Sequence, residues 1–297
     1  MAAPMITNAS ITLPKSVSSE IWQKTQQASI VMQLAQRITL PGNGLEIPVI
    51  TGDPDAGWVA ETDEKPVGNH TLTTKTMTPY TMAIIEPFSN QFRNDHAALY
   101  DALVGRLPNI LGRTYDRTVF GFVDAPGTNF DTMKDVTAID ISASTYDKFV
   151  TAIETVADAD AELSAWALTS KARTILLKTK DSNARPLFIS NAALDTAPNS
   201  VLAIPAYFNK NAYRAAVSGT SPETVGFAGD WSGARYGVVE DISISISDQA
   251  TLTVSDGGET KTLNLWQRNM FAVRAEFRAG FVMRDAAEFV RLDNGTV

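Results

Sequence analysis

Cysteine is absent from all 297 residues, which removes disulfides, thiol nucleophiles and thiolate metal sites together and leaves no dependence on oxidation. Histidine is almost as scarce. The two present, His70 and His96, stand in no HExxH spacing and beside no carboxylate pair that would complete a metal centre. The phosphate-cradling patterns GxxxxGK[ST] and GxGxxG are missing, as is the GxSxG elbow of a serine hydrolase. No run of about 18 apolar residues occurs, and Met1–Pro14 lacks the basic and apolar regions of a secretory signal. Positive charge is also short: 25 Lys and Arg against 33 Asp and Glu give a net charge of −8. There is thus no basic field to draw the surface onto nucleic-acid phosphates. These absences argue against an enzyme, a metalloprotein, a membrane-spanning chain and a DNA-wrapping protein, and no cofactor is expected.

What is present describes a folded chain. Hydrophobic residues make up 44% and charged residues 20%, close to the average for globular proteins, and the length suits about two packed lobes. Asp158, Asp160 and Glu162 alternate beyond a helix end and read as a solvated loop, not as a catalytic pair. Trp231 and Tyr236 flank Arg235 in an acidic neighbourhood with Asp230 and Glu240, which points to core anchors and not to a base-stacking patch.

Residues 1–40 form a Gln/Ser/Thr-rich leader with one amphipathic helix, in which Ile21, Trp22, Thr25, Ala28, Val31, Met32 and Ala35 share a face. Ser18 or Ser19 is its expected cap. Between Pro14 and Pro41-Gly42 this helix is isolated, so its stripe, Ile21 and Trp22 above all, is expected to pack on another subunit. Two β-like runs follow, Leu45–Ile50 and Leu72–Ile85, around a Gly/Asp/Pro-rich stretch with Trp58, Glu61, Asp63, Glu64 and Lys65. They predict one long hairpin reaching on the order of 50 Å, more than a domain of this size needs internally.

From Asp95 the period becomes helical. Leu99, Leu103, Leu107, Ile110 and Leu111 mark one face of a helix ending near Phe122, with acidic residues early and Arg106, Arg113 and Arg117 late, as the helix dipole favours. Pro108 predicts a kink or break near Gly105–Leu107. A second helix starts at Ser144, whose spacing to Asp147 suggests a capping box. Then come a buried strand at Trp166–Thr169, a basic helix at Ser170–Lys180 and a strand at Pro186–Ile189, which together predict an α/β lobe. Alternation at Ile242–Ser247 and Phe271–Phe281 predicts two half-buried strands, and Asp256-Gly257-Gly258 a hairpin turn between Thr251–Val254 and Thr260–Leu265.

This order of parts resembles the major capsid proteins of tailed bacteriophages that share the HK97-like fold. The likeness lies in the arm, long hairpin, long helix and mixed lobe, and locally in Trp58-Val59-Ala60-Glu61, Ser200–Tyr207, Gly229-Asp230-Trp231-Ser232 and Asn269–Leu292. It implies an α+β chain with an N-terminal arm over 1–40 and an extended hairpin, the E-loop, over 41–88. It further implies a peripheral domain with the spine helix over 89–145 and 265–297, and an axial domain over 146–264.

The implied function is self-assembly into pentamers and hexamers of an icosahedral shell that encloses double-stranded DNA without sequence-specific binding and without a membrane. The acidic balance, beyond keeping the chain soluble, suits a container wall that does not hold its DNA. With Met1 and only about 40 residues before the hairpin, a separate scaffolding protein is expected, with a portal and a decoration protein as further partners. Synthesis is expected in the host cytoplasm and residence in the virion. Trp58, Glu61, Asp63, Glu64, Arg113, Arg117, Ile21 and Trp22 are the candidate inter-subunit residues, with the three hairpin carboxylates lying over the two arginines of a neighbour's long helix. An encapsulin-like nanocompartment shell, an α/β enzyme and a monomeric binding module are the alternatives.

Overall fold

Leu107, Leu111, Tyr115 and Val119 recur every fourth residue and are all buried, and this stripe organises the longest helix of the chain. A computed structural model describes residues 15–52, 58–59, 64–65, 67, 71–90, 96–180, 183, 185, 200–256 and 259–295. In chain order, α1 (Lys15–Ala28) and α2 (Ile30–Leu34) precede β1 (Gln36–Thr39), β2 (Leu45–Gly52), β3 (Thr71–Met77) and β4 (Tyr80–Ser89). The long helix α3 (His96–Val119) leads to β5 (Thr137–Asp140), α4 (Thr145–Ala157), β6 (Ala165–Leu168) and α5 (Ser170–Lys178). The remainder is β7 (Ser200–Val201), β8 (Ile204–Phe208), β9 (Glu223–Gly229), β10 (Ala234–Val238), β11 (Ser243–Ser247), β12 (Thr251–Asp256), β13 (Glu259–Asn264), β14 (Met270–Met283) and β15 (Phe289–Asn294).

β14 is the spine of the first sheet. Phe271, Val273, Ala275, Phe277, Ala279 and Phe281 point into the core while Arg274 and Arg278 are exposed, the alternation a half-buried strand requires. β10 and β11 pair with β14 antiparallel, β1 adds in parallel beyond β10, and β4 also pairs with β14, from Met270↔Ser89 to Ala279↔Tyr80. The second sheet runs β5-β15-β9-β6-β8-β7, with β9 buried along its whole length. Its faces serve two cores. Val225, Ala228, Trp166 and Val290 pack with Phe149, Ala152 and Val156 of α4, while Phe227, Ala167 and Phe289 belong to the core that holds α1, α3 and β14. Phe120 at the end of α3 stacks on Phe227 at 4.4 Å, joining the helix to the mixed sheet.

Several expectations are corrected. Residues Leu72–Ile85 are not one hairpin arm: β3 ends at Met77, Thr78-Pro79 interrupts it, and β4 leaves for β14. The leader helix is two helices, broken at Ser29, and Ser18 and Ser19 lie inside α1 instead of capping it. Of the kink or break expected near Pro108, the break does not occur, and α3 runs on as one helix. One lost amide bond is outweighed where Leu107 and Leu111 are fixed in the core on either side. Ser144 does precede α4, but in the left-handed region (φ 52°) and with no side-chain cap bond, so the capping box does not form. In the sheets β10 and β11 join β14, and β15 closes the mixed sheet beside β5 and β9. The strand expected at Pro186–Ile189 lies outside the described residues.

Candidate assembly surfaces

The hairpin is held firmly at its root. β2 and β3 pair from Leu45↔Met77 to Ile50↔Leu72, and Ile47 and Met77 are buried with Leu40 and Val282. Gly44 turns the chain at φ 91°, where an added Cβ would meet the Met77 carbonyl at 2.7 Å, so only glycine fits. Lys75 Nζ donates to Asp131 Oδ2 at 3.0 Å and to the Met283 carbonyl at 2.7 Å, and Met283 N–H donates to the same Asp131 oxygen at 2.9 Å. Beyond this root the cover ends. In the connection between the strands Trp58 and Val67 are open to solvent, and Glu64 and Lys65 are exposed.

The end of α3 carries two further features. Arg113 is exposed and Arg117 half-buried, its guanidinium 5.8 Å from the Phe122 ring centre. Among the described residues neither arginine forms an ion pair, whereas Arg106 is 3.3 Å from Glu86. A cavity of about 180 Å³ also opens between α3, β4 and the loop after α3, walled by Tyr80, Met82, Tyr115, Thr118, Pro126 and Phe130.

The arm docks on the other side of α3 through a buried carboxylate. Asp116 Oδ1 accepts from Ser29 Oγ (2.5 Å) and Val31 N–H (3.2 Å), and Oδ2 from Ile30 N–H (3.0 Å) and Asn211 Nδ2 (2.7 Å). Asn209 and Asn211 also donate to the Ala28 carbonyl. Burial pushes the Asp116 carboxyl up to about 6, although the four donors pull it down; among the described residues no cation sits beside it to offset the desolvation. Gly112, one turn earlier, leaves the space into which the backbone of Thr25–Ser29 fits.

Residues 9–294 match the Phage capsid family. The chain belongs to that family. It is a capsid-shell protein of a phage, a structural component, and its residence is the virion capsid. Over 287 residues it is 29% identical to "Probable major capsid protein gp17" of Mycobacterium phage D29, covering 93% of this chain and 88% of that protein. The gp17 protein of Mycobacterium phage L5 is equally similar, 29% over 294 residues, covering 93% and 87%. A solved structure from Gordonia phage Cozz shares the fold with a TM-score of 0.70 at 19% identity, covering 91% of this chain and 87% of that one. The capsid of a native GTA particle computed with C5 symmetry superposes with a TM-score of 0.61 at 15% identity, covering 100% and 96%.

In this capsid protein the eight expected contact residues separate into three groups. Trp58, Glu64 and Arg113 are exposed, and Arg117 is half-covered by its stacking on Phe122. Glu61 and Asp63 lie outside the described residues. Ile21 (0% exposed) and Trp22 (4%) are corrected: Trp22 meets Phe277 edge-on at 5.6 Å, so the stripe is buried on the chain's own β14 and not reserved for a neighbour. The isolated helix suggested by the flanking prolines has its partner within the chain. Trp231 is a core anchor as expected, 2% exposed with Nε1 donating to the Ala165 carbonyl. Sequence reasoning missed Asp116 and the Lys75–Asp131 root; the spacing Gly112-x-x-x-Asp116 on an otherwise apolar helix face is the signal for the first.

Proposed function

We propose that this capsid protein closes an icosahedral shell around double-stranded DNA by forming pentamers and hexamers, with the HK97-like division of labour. On this reading residues 1–40 are the N-terminal arm, β2–β3 and their connection the E-loop, and α3 with the β14 sheet the peripheral part. The mixed sheet with α4 and α5 is the axial part. A separate scaffolding protein, a portal and a decoration protein are its partners, and the chain is made in the host cytoplasm. The observation that carries the reading is the family match across 9–294 in a chain whose hairpin root is locked while the connection beyond it exposes Trp58 and Val67. An element fixed at one end and bare at the other is suited to a neighbour, and repetition of one such head-to-tail contact under rotation closes a ring.

The hairpin acids Glu61, Asp63 and Glu64 lie over Arg113 and Arg117 of the neighbouring α3, where charge complementarity sets register more than strength. Many weak contacts of this kind hold a shell while each remains reversible enough to correct errors.

Negative-stain microscopy with light scattering, over a range of salt and protein concentrations, tests the assembly. Closed shells or rings of five and six are expected. A strict monomer under all conditions, including co-expression with the scaffolding protein, overturns the reading. Reversing Glu61 and Glu64 to Lys is expected to lower shell yield, and adding Arg113→Glu and Arg117→Glu to restore it; unchanged yield and geometry in the first variant removes the pairing.

A further inference from the structure

Trp58 has its whole side chain in water, an unfavourable place for the largest apolar surface any residue carries. None of the described residues of its own chain covers it, although the same chain has an opening of the right kind. The cavity beside α3 measures about 180 Å³, and an apolar cavity of about 150 Å³ is enough to take up benzene, so an indole fits here in large part. Its walls are the rings of Tyr80, Tyr115 and Phe130 with Met82, surfaces on which an aromatic side chain packs edge-on or offset. Thr118 and Asp124 at its lining supply oxygen acceptors for the one polar atom of an indole, its N–H.

The positions of knob and hole select the occupant. The hole belongs to the hairpin root: Tyr80 follows the end of β3 at Met77 by three residues, and Phe130 is next to Asp131, which holds Lys75. Trp58 is in the connection beyond β2, and in its own chain it does not enter the hole. A contact from the far part of one hairpin to the root of the next is heterologous, the kind that builds rings instead of isolated pairs. The charges agree with this placement. Arg117 directly precedes Thr118 of the cavity lining, and Glu64 follows Trp58 by six residues, so opposite charges lie close in sequence to the hole and to the knob.

We propose that the cavity walled by Tyr80, Tyr115 and Phe130 is the seat for Trp58 of a second copy of this chain. The proposal rests on the shell reading above and assigns its central apolar contact. Trp266 is a rival knob, but at 70% exposure it keeps part of its surface covered at home.

The absence of native cysteine permits a direct test in the full chain. Trp58→Cys is combined with Thr81→Cys, an exposed position lining the cavity. Assembled particles are oxidised mildly and run on a denaturing, non-reducing gel. A ladder of covalent oligomers is expected, and none from the Trp266→Cys/Thr81→Cys pair. Monomer alone from oxidised Trp58→Cys/Thr81→Cys particles overturns the seat and leaves the shell reading standing; absence of particles from the unmodified chain, with the scaffolding protein co-expressed, overturns the shell reading itself.

Tryptophan emission supplies a second readout that does not depend on assembly of the double variant. Assembly of the unmodified chain is expected to shift the emission to the blue, and this shift to shrink at least twofold in Trp58→Phe and to persist in Trp266→Phe. An undiminished shift in Trp58→Phe overturns the seat.

Discussion

Asn211 Nδ2 donates to Asp116 Oδ2 at 2.7 Å in the interior, so a residue of the mixed lobe and one of the long helix share a carboxylate that also holds the arm at Ser29, Ile30 and Val31. Three segments distant in sequence meet at one side chain. Asp116→Ala leaves four donors without an acceptor, and each buried unpaired donor costs about 1–3 kcal/mol. A loss of at least about 3 kcal/mol is expected, read as a lower urea midpoint. Hydrogen exchange is expected to rise first at residues 25–35, because three of the four donors lie there.

The same carboxylate sets a pH dependence of opposite sign to the usual one. Its folded value of about 6 is above the ordinary 3.8, so between these values the folded chain binds more protons than the unfolded one. Stability from this group therefore rises as pH falls from about 6 to about 4, and the penalty is fully present above 6. The span is on the order of 3 kcal/mol. Asp140 and Glu223, whose values are lowered by hydrogen bonds despite desolvation, act in the opposite direction. The measurement is thus a difference: unfolding midpoints of the unmodified chain and Asp116→Asn from pH 4 to 7. The gap between them is expected to widen as pH falls.

Elements whose partners are local in pattern were legible in the sequence. The six alternating apolar residues of β14 follow from period alone, as does the β12–β13 hairpin; the apolar stripe of α4 does so only in part, since Phe149 and Val156 are buried while Tyr146 and Val150 are exposed. The split of Leu72–Ile85 was not legible, because both halves are β-like and the partner that separates them, β14, comes nearly two hundred residues later. Nor was the destination of the Ile21/Trp22 stripe: an apolar face states that it must be covered, not whether the cover is in the same chain. The exposed part of the candidate interface was legible for the same reason in reverse, since Trp58 stands among turn residues and charges with no periodic face to join. Asp116 escaped because its four partners come from two segments remote from α3 in sequence, the arm at Ser29–Val31 and Asn211 in the lobe beyond α3.

Gly112 and Gly105 sit on the same helix and are expected to respond oppositely to alanine. A Cβ at Gly112 would meet Ser29 N at 3.1 Å, Thr25 O at 3.2 Å and Ala28 C at 3.3 Å, all backbone atoms of the arm, and that backbone is pinned by Asp116. A Cβ at Gly105 meets nothing within 4 Å. Alanine favours a helix interior by about 1 kcal/mol over glycine, so Gly105→Ala is expected to raise the thermal midpoint by roughly 2–4 °C. Gly112→Ala is expected to lower it, with the arm loosened; equal shifts of the same sign would mean that the arm is not packed on Gly112.

Lys75 is expected to matter locally and little globally. Its ion pair with Asp131 is about one-third exposed on both sides, a setting in which such pairs contribute on the order of 0.5–1 kcal/mol. The bond from Lys75 to the Met283 carbonyl adds a second tie to the same root. In Lys75→Met the unfolding midpoint is expected to move by no more than a few degrees, since Met283 N–H still donates to Asp131 and the Leu40, Ile47 and Met77 cluster stays buried. The hairpin, however, loses the charged anchor that ties β3 to Asp131 and Met283. Amide exchange at residues 45–49 and 73–77 is expected to quicken by about fivefold, the factor that 1 kcal/mol gives, with β14 unaffected. Asp131→Ala removes both the ion pair and the acceptor for Met283 N–H, so there exchange is expected to rise at 281–283 as well. If Lys75→Met accelerates both regions equally, the root and the sheet are one cooperative unit and the hairpin is not separately hinged on Lys75.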